Sequence, residues 1–234
     1  MMNQDNSTQD AKTFALEFAE LAYLAHLMNA PTLIGLDDEQ LFPADDGQRR
    51  MLDEAGLQSL KAHGWMQVDA EANLDLNPTL ALMVASMAAP QFVLMTTRFV
   101  DRERQQELVH YLADEMIVAQ FQASDGRVQL SALRDPMQIV QQMAALLALD
   151  PLPAQTAPDA PGDAAPLRRY GQIQLGPVDG ARLHSATQLY LVTDGADIWF
   201  MTNAPAADDA VAWKAATVSN LALLLSQVLE LESM

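Results

Sequence analysis

Histidine and carboxylate side chains are the groups in this 234-residue chain that could perform acid–base or metal chemistry. The four histidines, His26, His63, His110 and His184, are scattered along the sequence. Zinc sites hold their histidines at short fixed spacings such as HExxH, and no such spacing occurs here. The chain also has no cysteine, which excludes thiolate catalysis, disulfides and cysteine-ligated metals. We therefore interpret each histidine as an ordinary surface or partly buried residue and predict no metal and no cofactor.

Adjacent carboxylates are the second candidate for catalysis. The pairs in predicted turns include Asp37–Asp38, Asp45–Asp46, Asp114–Glu115 and Asp208–Asp209. Acid–base catalysis needs a buried carboxyl group with a raised pKa, whereas carboxylates in turns are usually solvated and often cap the next element. Phosphate-binding loops and the GxSxG nucleophile elbow are absent. The sequence predicts a protein that is not an enzyme, although an enzyme of unrecognised type stays open.

The charge of the chain restricts its partners. It carries 31 acidic and 13 basic residues, for a net charge of −18. Such a surface repels phosphate backbones and anionic lipid headgroups, so we expect no nucleic acid and no membrane as partner. The N-terminus lacks a signal-peptide pattern, and no apolar stretch reaches the roughly 20 residues that span a bilayer. We expect a cytoplasmic protein with a basic or largely apolar protein partner, in an oligomeric state that the sequence does not predict.

The first part of the chain is predicted to be mainly helical. Apolar residues at helical spacing predict a helix from Asp10 to about Met28. Residues 47–89 then predict a helix from Gln48 to Ala62 with Gly64 past its end, a short hairpin, and a second helix that begins at Asn77–Pro78. This order resembles the recognition helix and wing of a winged-helix module, many of which bind DNA. Seven acidic and three basic residues between Asp45 and Leu76 disfavour DNA binding.

The second part of the chain contains one pattern twice. From Tyr111 and again from Tyr190, an apolar segment, a turn, two further apolar segments and a helix-like run follow one another. At a constant offset of 82, four apolar positions of the two helix-like runs coincide. They are Ile139 and Leu221, Met143 and Leu225, Leu146 and Val228, and Leu147 and Leu229. The repetition predicts an α+β fold, with a mostly antiparallel sheet, helices beside it, and two β-β-β-α halves related by a quasi-twofold.

The predicted domain organisation follows from these patterns. Residues 1–9 are expected to be a disordered tail. Residues 10–149 combine the helical, winged-helix-like part with the first sheet–helix half. Residues 150–166 are a proline-rich connector, and residues 167–234 form the second half. Both halves are expected to share one continuous core.

Two features could bind a partner. The first is the polar turn DRERQQ between two predicted strands, which consists of Asp101, Arg102, Glu103, Arg104, Gln105 and Gln106. It is either a solvated hairpin loop or a contact surface. The second is the final helix, whose leucines extend beyond a single stripe, so that it is either enclosed in the core or covers a partner.

The order of elements resembles the EspG-type chaperones of type VII (ESX) secretion. The matching stretches are Gly56–Leu76, Pro90–Phe99, Tyr111–Leu149 and Tyr190–Leu231. The resemblance implies a cytosolic, non-enzymatic protein that holds aggregation-prone secreted helical pairs. It also implies that a loop between early strands of the central sheet and the C-terminal helical part contact the substrate. By order, these correspond to Asp101–Gln106 and to the region near the last helix.

The leading hypothesis is therefore a non-enzymatic protein-binding module, a cytosolic chaperone for a helical secreted partner. Arg102 and Arg104 would pair with carboxylates of that partner. The alternative is a winged-helix transcriptional regulator that senses a ligand through its sheet domain.

Overall fold

The structure, a computed structural model, describes residues 12–71, 73–101, 104–114, 116–149, 166–179, 182–184, 187–202 and 212–232. Within these residues the helices are α1 (Phe18–Leu27), α2 (Asp38–Leu41), α3 (Asp46–Ala62), α4 (Pro78–Ala88), α5 (Pro136–Leu146) and α6 (Val218–Glu232). The strands are β1 (Thr13–Leu16), β2 (Met66–Val68), β3 (Leu74–Leu76), β4 (Phe92–Phe99), β5 (Gln105–Leu112), β6 (Ile117–Gln122), β7 (Val128–Leu133), β8 (Arg168–Asp179), β9 (Arg182–Leu183), β10 (Thr187–Thr193), β11 (Ile198–Thr202) and β12 (Ala212–Ala215). The predicted tail lies outside this range, as does the predicted connector except for its last residue.

The described strands form one large antiparallel sheet and a separate hairpin. The sheet has the order β1-β7-β6-β5-β4-β8-β10-β11-β12, with β9 paired to β8 and β2 paired to β3 alone. The order is symmetric about the β4–β8 pair, since β5, β6 and β7 follow on one side and β10, β11 and β12 on the other. A helix, α5 or α6, completes each side. The predicted α+β fold with two β-β-β-α halves is confirmed, and each half gains a fourth strand at the centre.

Helices α5 and α6 cover one face of the sheet. Ile139 and Met143 of α5 lie in one buried apolar cluster with Leu221 and Leu225 of α6. These are two of the pairs that coincide at the offset of 82, so the repeated sequence pattern identified equivalent core positions. In α6 the described apolar side chains face the core except Leu223, which is 49% exposed. The core interpretation of the final helix is therefore confirmed for its described side chains.

The opposite face of the first half is covered by α1 and α4. Leu24 of α1 and Val84 of α4 lie in a second buried cluster with Val93 and Val118 of the sheet. The hairpin β2–β3 joins α3 to α4, so the predicted order of helix, hairpin and helix is confirmed. The sheet is thus enclosed between two layers of helices in its first half.

The predicted helix from Asp10 to Met28 is wrong in its first half. Thr13–Leu16 is a strand that pairs with β7, and α1 begins only at Phe18. Glu17 marks this start because its backbone N–H donates to Glu20 Oε2 at 2.7 Å, within a capping box. Phe14 and Leu16 are buried at alternate positions, which suits a strand as well as a helix. The segment forms a strand and not a helix because it pairs with the open edge of β7, whose backbone groups thereby gain hydrogen-bond partners.

Most other helix ends follow the predicted signals. Asn77 accepts hydrogen bonds from the N–H groups of Thr79 and Leu80, at 3.1 and 3.3 Å. Gly64 ends α3 with a φ of +69°, as expected for a glycine past a helix terminus. Helix α5 ends at Leu146, shortly before Ala148, which adopts a positive φ of 49°. The backbone N–H of Leu149 then returns to the Ala144 carbonyl at 2.9 Å, which closes the helix.

Helices α1 and α3 pack at unusually short distance through Gly56. A Cβ atom at Gly56 would lie 2.2 Å from the Ala19 carbonyl oxygen and 2.8 Å from the Tyr23 Cβ. Real contacts of this kind do not fall below 3.0 Å, so only glycine fits without moving α1. This close approach holds the helix–hairpin–helix part against α1.

Replacing Gly56 by alanine should lower the free energy of unfolding by about 1–3 kcal/mol, because the α1 backbone must move away. Gly47→Ala in the first turn of the same helix is the control. There the nearest atom is the Asp45 carboxylate oxygen at 3.0 Å, and alanine in a helix is favoured over glycine by up to about 1 kcal/mol. Urea unfolding of both variants measures the difference. Equal stability of the two would show that α1 and α3 are not in tight contact.

Candidate functional site

The connection between β4 and β5 carries the predicted binding residues. Phe99 pairs with Gln105 across the two strands, so the loop runs from Val100 to Arg104. The backbone N–H of Val100 donates to the Arg104 carbonyl at 3.0 Å. Of the six predicted residues, Asp101, Arg104, Gln105 and Gln106 are described. The other two, Arg102 and Glu103, lie outside the described residues.

Asp101 holds Arg104 in place. Its Oδ1 accepts the Arg104 backbone N–H at 2.8 Å, and its Oδ2 accepts the Arg104 Nε–H at 2.6 Å. The Arg104 side chain is nevertheless 76% exposed, so most of its guanidinium faces solvent. A surface ion pair of this kind adds little to stability, but it fixes the direction of a cation that a partner could reach.

A groove of about 750 Å³ lies beside this loop. We call it the loop groove. It is lined by Gly35, Val100, Arg104, Gln105, Gln106, Glu107, Gln120, Phe121, Gln122, Ala123 and Ser124. Three predicted residues, Arg104, Gln105 and Gln106, therefore line one surface, and Asp101 supports it from the loop. The glutamine and serine side chains can donate and accept hydrogen bonds with a polar protein surface.

Sequence reasoning missed the contribution of β6 to the loop groove. Gln120 and Gln122 lie on β6, where the sequence predicts an apolar segment and no binding residue. Gln120 is 2% exposed, and its side-chain amide lies 2.7 Å from the Tyr111 hydroxyl. The same hydroxyl donates to the Ile34 carbonyl, so Tyr111 ties the segment after α1 to the sheet. The alternation of glutamine with apolar residues in β6 was the available signal.

Glu107 gives the loop groove a titratable carboxyl group. Burial raises the pKa of this carboxyl above its ordinary value. Its Oε1 accepts a hydrogen bond from Gln105 Nε2 at 2.9 Å. No histidine and no second carboxylate lines the groove among the described residues. The described lining therefore offers a protonatable contact for a partner and lacks a second titratable group for acid–base catalysis.

Basic residues gather at this end of the sheet. Because β4 and β8 are antiparallel, the end of β4 lies beside the start of β8. Arg98, Arg104, Arg168 and Arg169 thus lie at the same end of the sheet, with Arg98 on the α5 face and Arg169 on the opposite face, in a chain whose net charge is −18. The Arg169 guanidinium lies 4.4 Å from the centre of the Phe99 ring and 5.7 Å from that of Tyr190. Arginine combined with aromatic rings is typical of energetically important interface residues.

Two histidines connect α1 to neighbouring elements. His26 Nδ1 lies 2.6 Å from Asp53 Oδ1, and His26 Nε2 lies 2.8 Å from the Leu41 carbonyl oxygen. His63 Nδ1 lies 2.7 Å from Oε1 of Glu20, whose carboxylate is fully buried. These contacts hold helices together. Within the described residues, no group of three or more histidine, aspartate or glutamate side chains is placed to hold a metal ion.

The interpretation of His110 as a surface or partly buried residue is wrong. His110 is completely enclosed between the sheet and α5, with Nε2 at 3.0 Å from Gln142 Oε1. Burial lowers the pKa of His110 to about 4, so the imidazole is neutral near pH 7. His110 is buried because its neighbours on β5 are apolar and because Gln142 of α5 supplies a hydrogen-bond partner. Neither feature can be predicted from the spacing of the histidines in the sequence.

The paired carboxylates act as caps wherever the structure describes a helix after them. Asp37 Oδ1 accepts the Glu39 backbone N–H at 3.0 Å, and Asp45 Oδ1 accepts that of Gln48 at 2.8 Å. Asp208, Asp209 and Glu115 lie outside the described residues. The prediction that these pairs serve turns and caps is thus confirmed for α2 and α3.

The surface of α3 does not resemble a DNA-reading helix. Arg49 Nη2 donates to the Pro43 carbonyl at 3.1 Å, and its Nη1 lies 3.9 Å from Asp46. Asp53 and Glu54 follow within the next turn. A DNA interface needs cations that replace the counterions of phosphates, and this helix is acidic at its start.

None of the helices in the described part of the chain is long and apolar enough to cross a membrane.

Comparison with known proteins agrees with this fold. No protein-family model matches the chain, and no curated protein matches it by sequence. A solved structure that is similar is the Mycobacterium tuberculosis type VII secretion system chaperone EspG5, determined in complex with a PE25–PPE41 dimer. The two chains share 11% sequence identity and superpose with a TM-score of 0.57, over 94% of this chain and 96% of EspG5. This chain therefore has an EspG-like fold, related only distantly to that protein.

The buried His110 should make stability depend on pH. Its folded pKa of about 4 lies below the unfolded value near 6.5, so between these values the unfolded chain binds more protons. The contribution of neutral His110 to the free energy of unfolding is fully present above about pH 6.5 and is lost as the pH falls towards 4. Between pH 7 and pH 4.5, wild type should lose about 2–3 kcal/mol more than His110→Gln, as measured by urea unfolding.

His184→Gln is the matched control for removal of a histidine, because His184 is exposed. It should follow the wild-type pH dependence. If His110→Gln also follows the wild-type curve, the neutral buried state of His110 is refuted.

Proposed function

We propose that this chain is a non-enzymatic protein-binding module, a cytosolic chaperone for a helical secreted partner of the type VII kind. The observation that carries the proposal is the EspG-like fold over 94% of the chain, similar to a chaperone whose structure contains a bound protein dimer. The fold alone provides a surface for binding but does not identify the partner. The geometry at the β4–β5 end of the sheet supplies the second support.

We propose that the loop groove and the loop above it contact the partner. The residues concerned are Asp101, Arg102, Glu103, Arg104, Gln105 and Gln106. Arg104 projects into solvent from a position that Asp101 fixes, and Gln105 and Gln106 line the groove beneath it. A preorganised cation loses less conformational freedom on binding than a free one. The amides of the groove can then bind polar groups of the partner's backbone or helix ends.

The charge distribution favours an acidic segment of the partner. The described arginines at this end of the sheet present positive charge locally, whereas the molecule as a whole is strongly negative. An acidic helix tip would be attracted to this end and repelled by the rest of the surface, so charge would orient the partner. The rigid antiparallel sheet serves as the platform that keeps the contact residues in place.

Reversal of the charge at Arg104 should weaken binding of the partner while the protein still folds. Arg104→Glu should lower the amount of co-purified partner at least about fivefold, because a cation that receives a carboxylate becomes a repelling carboxylate. The experiment uses the tagged full-length chain expressed in its native host. The proteins that co-elute on size exclusion are identified by mass spectrometry and quantified per mole of bait.

Arg50→Glu on α3 is the control, because it introduces the same charge change on a helix that contributes no residue to the described lining of the loop groove. It should retain the partner at the wild-type level. Wild-type protein that elutes without a stoichiometric helical partner would refute the chaperone proposal. Equal loss in both variants would refute the assignment of the contact to the loop.

A further inference from the structure

A second cavity lies between α5 and the sheet, on the face opposite to α1 and α4. We call it the α5 cavity; its volume is about 400 Å³. It is lined by Arg98, Gln106, Leu108, Ala119, Phe121, Gln129, Ser131, Gln142, Ala145 and Leu146. It exists because short side chains meet there. Ala119 of β6 pairs with Ser131 of β7, and the helix contributes Ala145 above them.

One lining residue of the α5 cavity carries a buried polar atom that has no partner within the described structure, and two further such atoms lie nearby on the same face of the sheet. In the described part of the chain, three buried side-chain atoms have no hydrogen-bond partner, namely Thr96 Oγ1, Arg98 Nε and His110 Nδ1. Arg98 lines the cavity, and Thr96 precedes it by two residues on the same face of β4. His110 bonds to Gln142, which also lines the cavity. Nearly all buried polar groups in folded proteins are paired, so the described fold leaves part of the hydrogen-bonding capacity of Arg98 unused at the cavity wall.

Arg98 is the only ionised group among the described lining residues. Its Nη1 donates to the Leu146 carbonyl at 3.1 Å, and its guanidinium lies 5.5 Å from the centre of the Tyr170 ring. These two contacts fix its orientation. Among the described residues, no carboxylate forms an ion pair with it. The neighbouring His110 is neutral near pH 7, so the cavity has one fixed positive charge and nothing described that balances it.

The remaining lining residues indicate the chemistry of the part of the ligand that does not contact Arg98. Leu108, Phe121 and Leu146 form apolar wall, and Gln106, Gln129 and Gln142 supply amides. Volumes of a few hundred Å³ with an apolar wall and a few polar groups are typical of small-molecule sites. A guanidinium matches a carboxylate through two parallel hydrogen bonds. The last turn of α5, with its partly negative carbonyl end, forms one side of the cavity and disfavours a doubly charged phosphate more than a singly charged carboxylate.

We propose that the α5 cavity binds a small amphipathic monocarboxylate. The Arg98 guanidinium binds the carboxylate, and the apolar wall contacts the body of the ligand. Gln106, Gln129 and Ala145 are exposed and mark the mouth through which it enters. The site adds a small ligand to the protein partner proposed above, and it shares Gln106 and Phe121 with the loop groove. Its test therefore uses the purified chain alone.

The test measures binding of three monocarboxylates, octanoate, 3-phenylpropionate and indole-3-acetate, by isothermal titration and by amide chemical shifts in NMR spectra. We expect at least one to bind saturably below about 10 mM, with shifts at Ser131 and Gln142. The neutral amide of the same compound should bind at least about tenfold more weakly, because it cannot pair with the guanidinium. Absence of saturable binding by all three, or equal binding of acid and amide, overturns the proposal.

Variants locate the site. Arg98→Gln should weaken binding at least about tenfold. Arg50→Gln should leave it unchanged, because Arg50 lies on α3, which contributes no residue to the described lining of the cavity. Ala145→Leu is the second test if Arg98→Gln fails to fold. It should also weaken binding, because leucine narrows the exposed mouth of the cavity at a helical position that accepts this residue. Wild-type affinity in a folded Arg98→Gln or Ala145→Leu variant overturns the proposal.

Discussion

The pairing of β4 with β8 is the interaction on which the rest of this molecule depends. Seven residues of β4, from Phe92 to Arg98, lie opposite residues of β8, and this pairing joins the two halves into one sheet. Gly171 permits the close approach, because a Cβ atom there would lie 2.6 Å from the Thr97 carbonyl oxygen. The same pairing puts α5 and α6 on one face. Both helices then bury their apolar stripes in a shared cluster.

The antiparallel direction of this central pair also decides where the polar chemistry lies. It brings the end of β4 beside the start of β8, and so collects arginines that are some seventy residues apart in sequence. On one side of this end lies the loop groove, and under α5 lies the cavity that contains Arg98. An acidic protein thus has one locally basic end, where charge can select and orient what binds.

Much of the fold could be predicted because the capping residues and the spacing of apolar residues indicated the same elements. The cap at Asn77, the stop at Gly64 and the coincidence of Ile139 with Leu221 all appear at the expected places. The first helix could not be placed correctly, because apolar residues at positions 14 and 16 suit a strand when an open sheet edge is available. The loop was identified from its polarity, but the glutamines of β6 that share its groove were not.

The sequence by itself determined the class of fold, the repetition of a sheet–helix unit and the acidic character of the surface. Each of these depends on composition or on spacing between near neighbours, which the chain carries wherever it folds. Only the tertiary structure decided that β1 joins the sheet and that His110 is enclosed. It also decided that Arg98, Gln106 and Gln142 meet around a cavity. These outcomes depend on which distant segments become neighbours, and strand pairing and helix packing set that proximity.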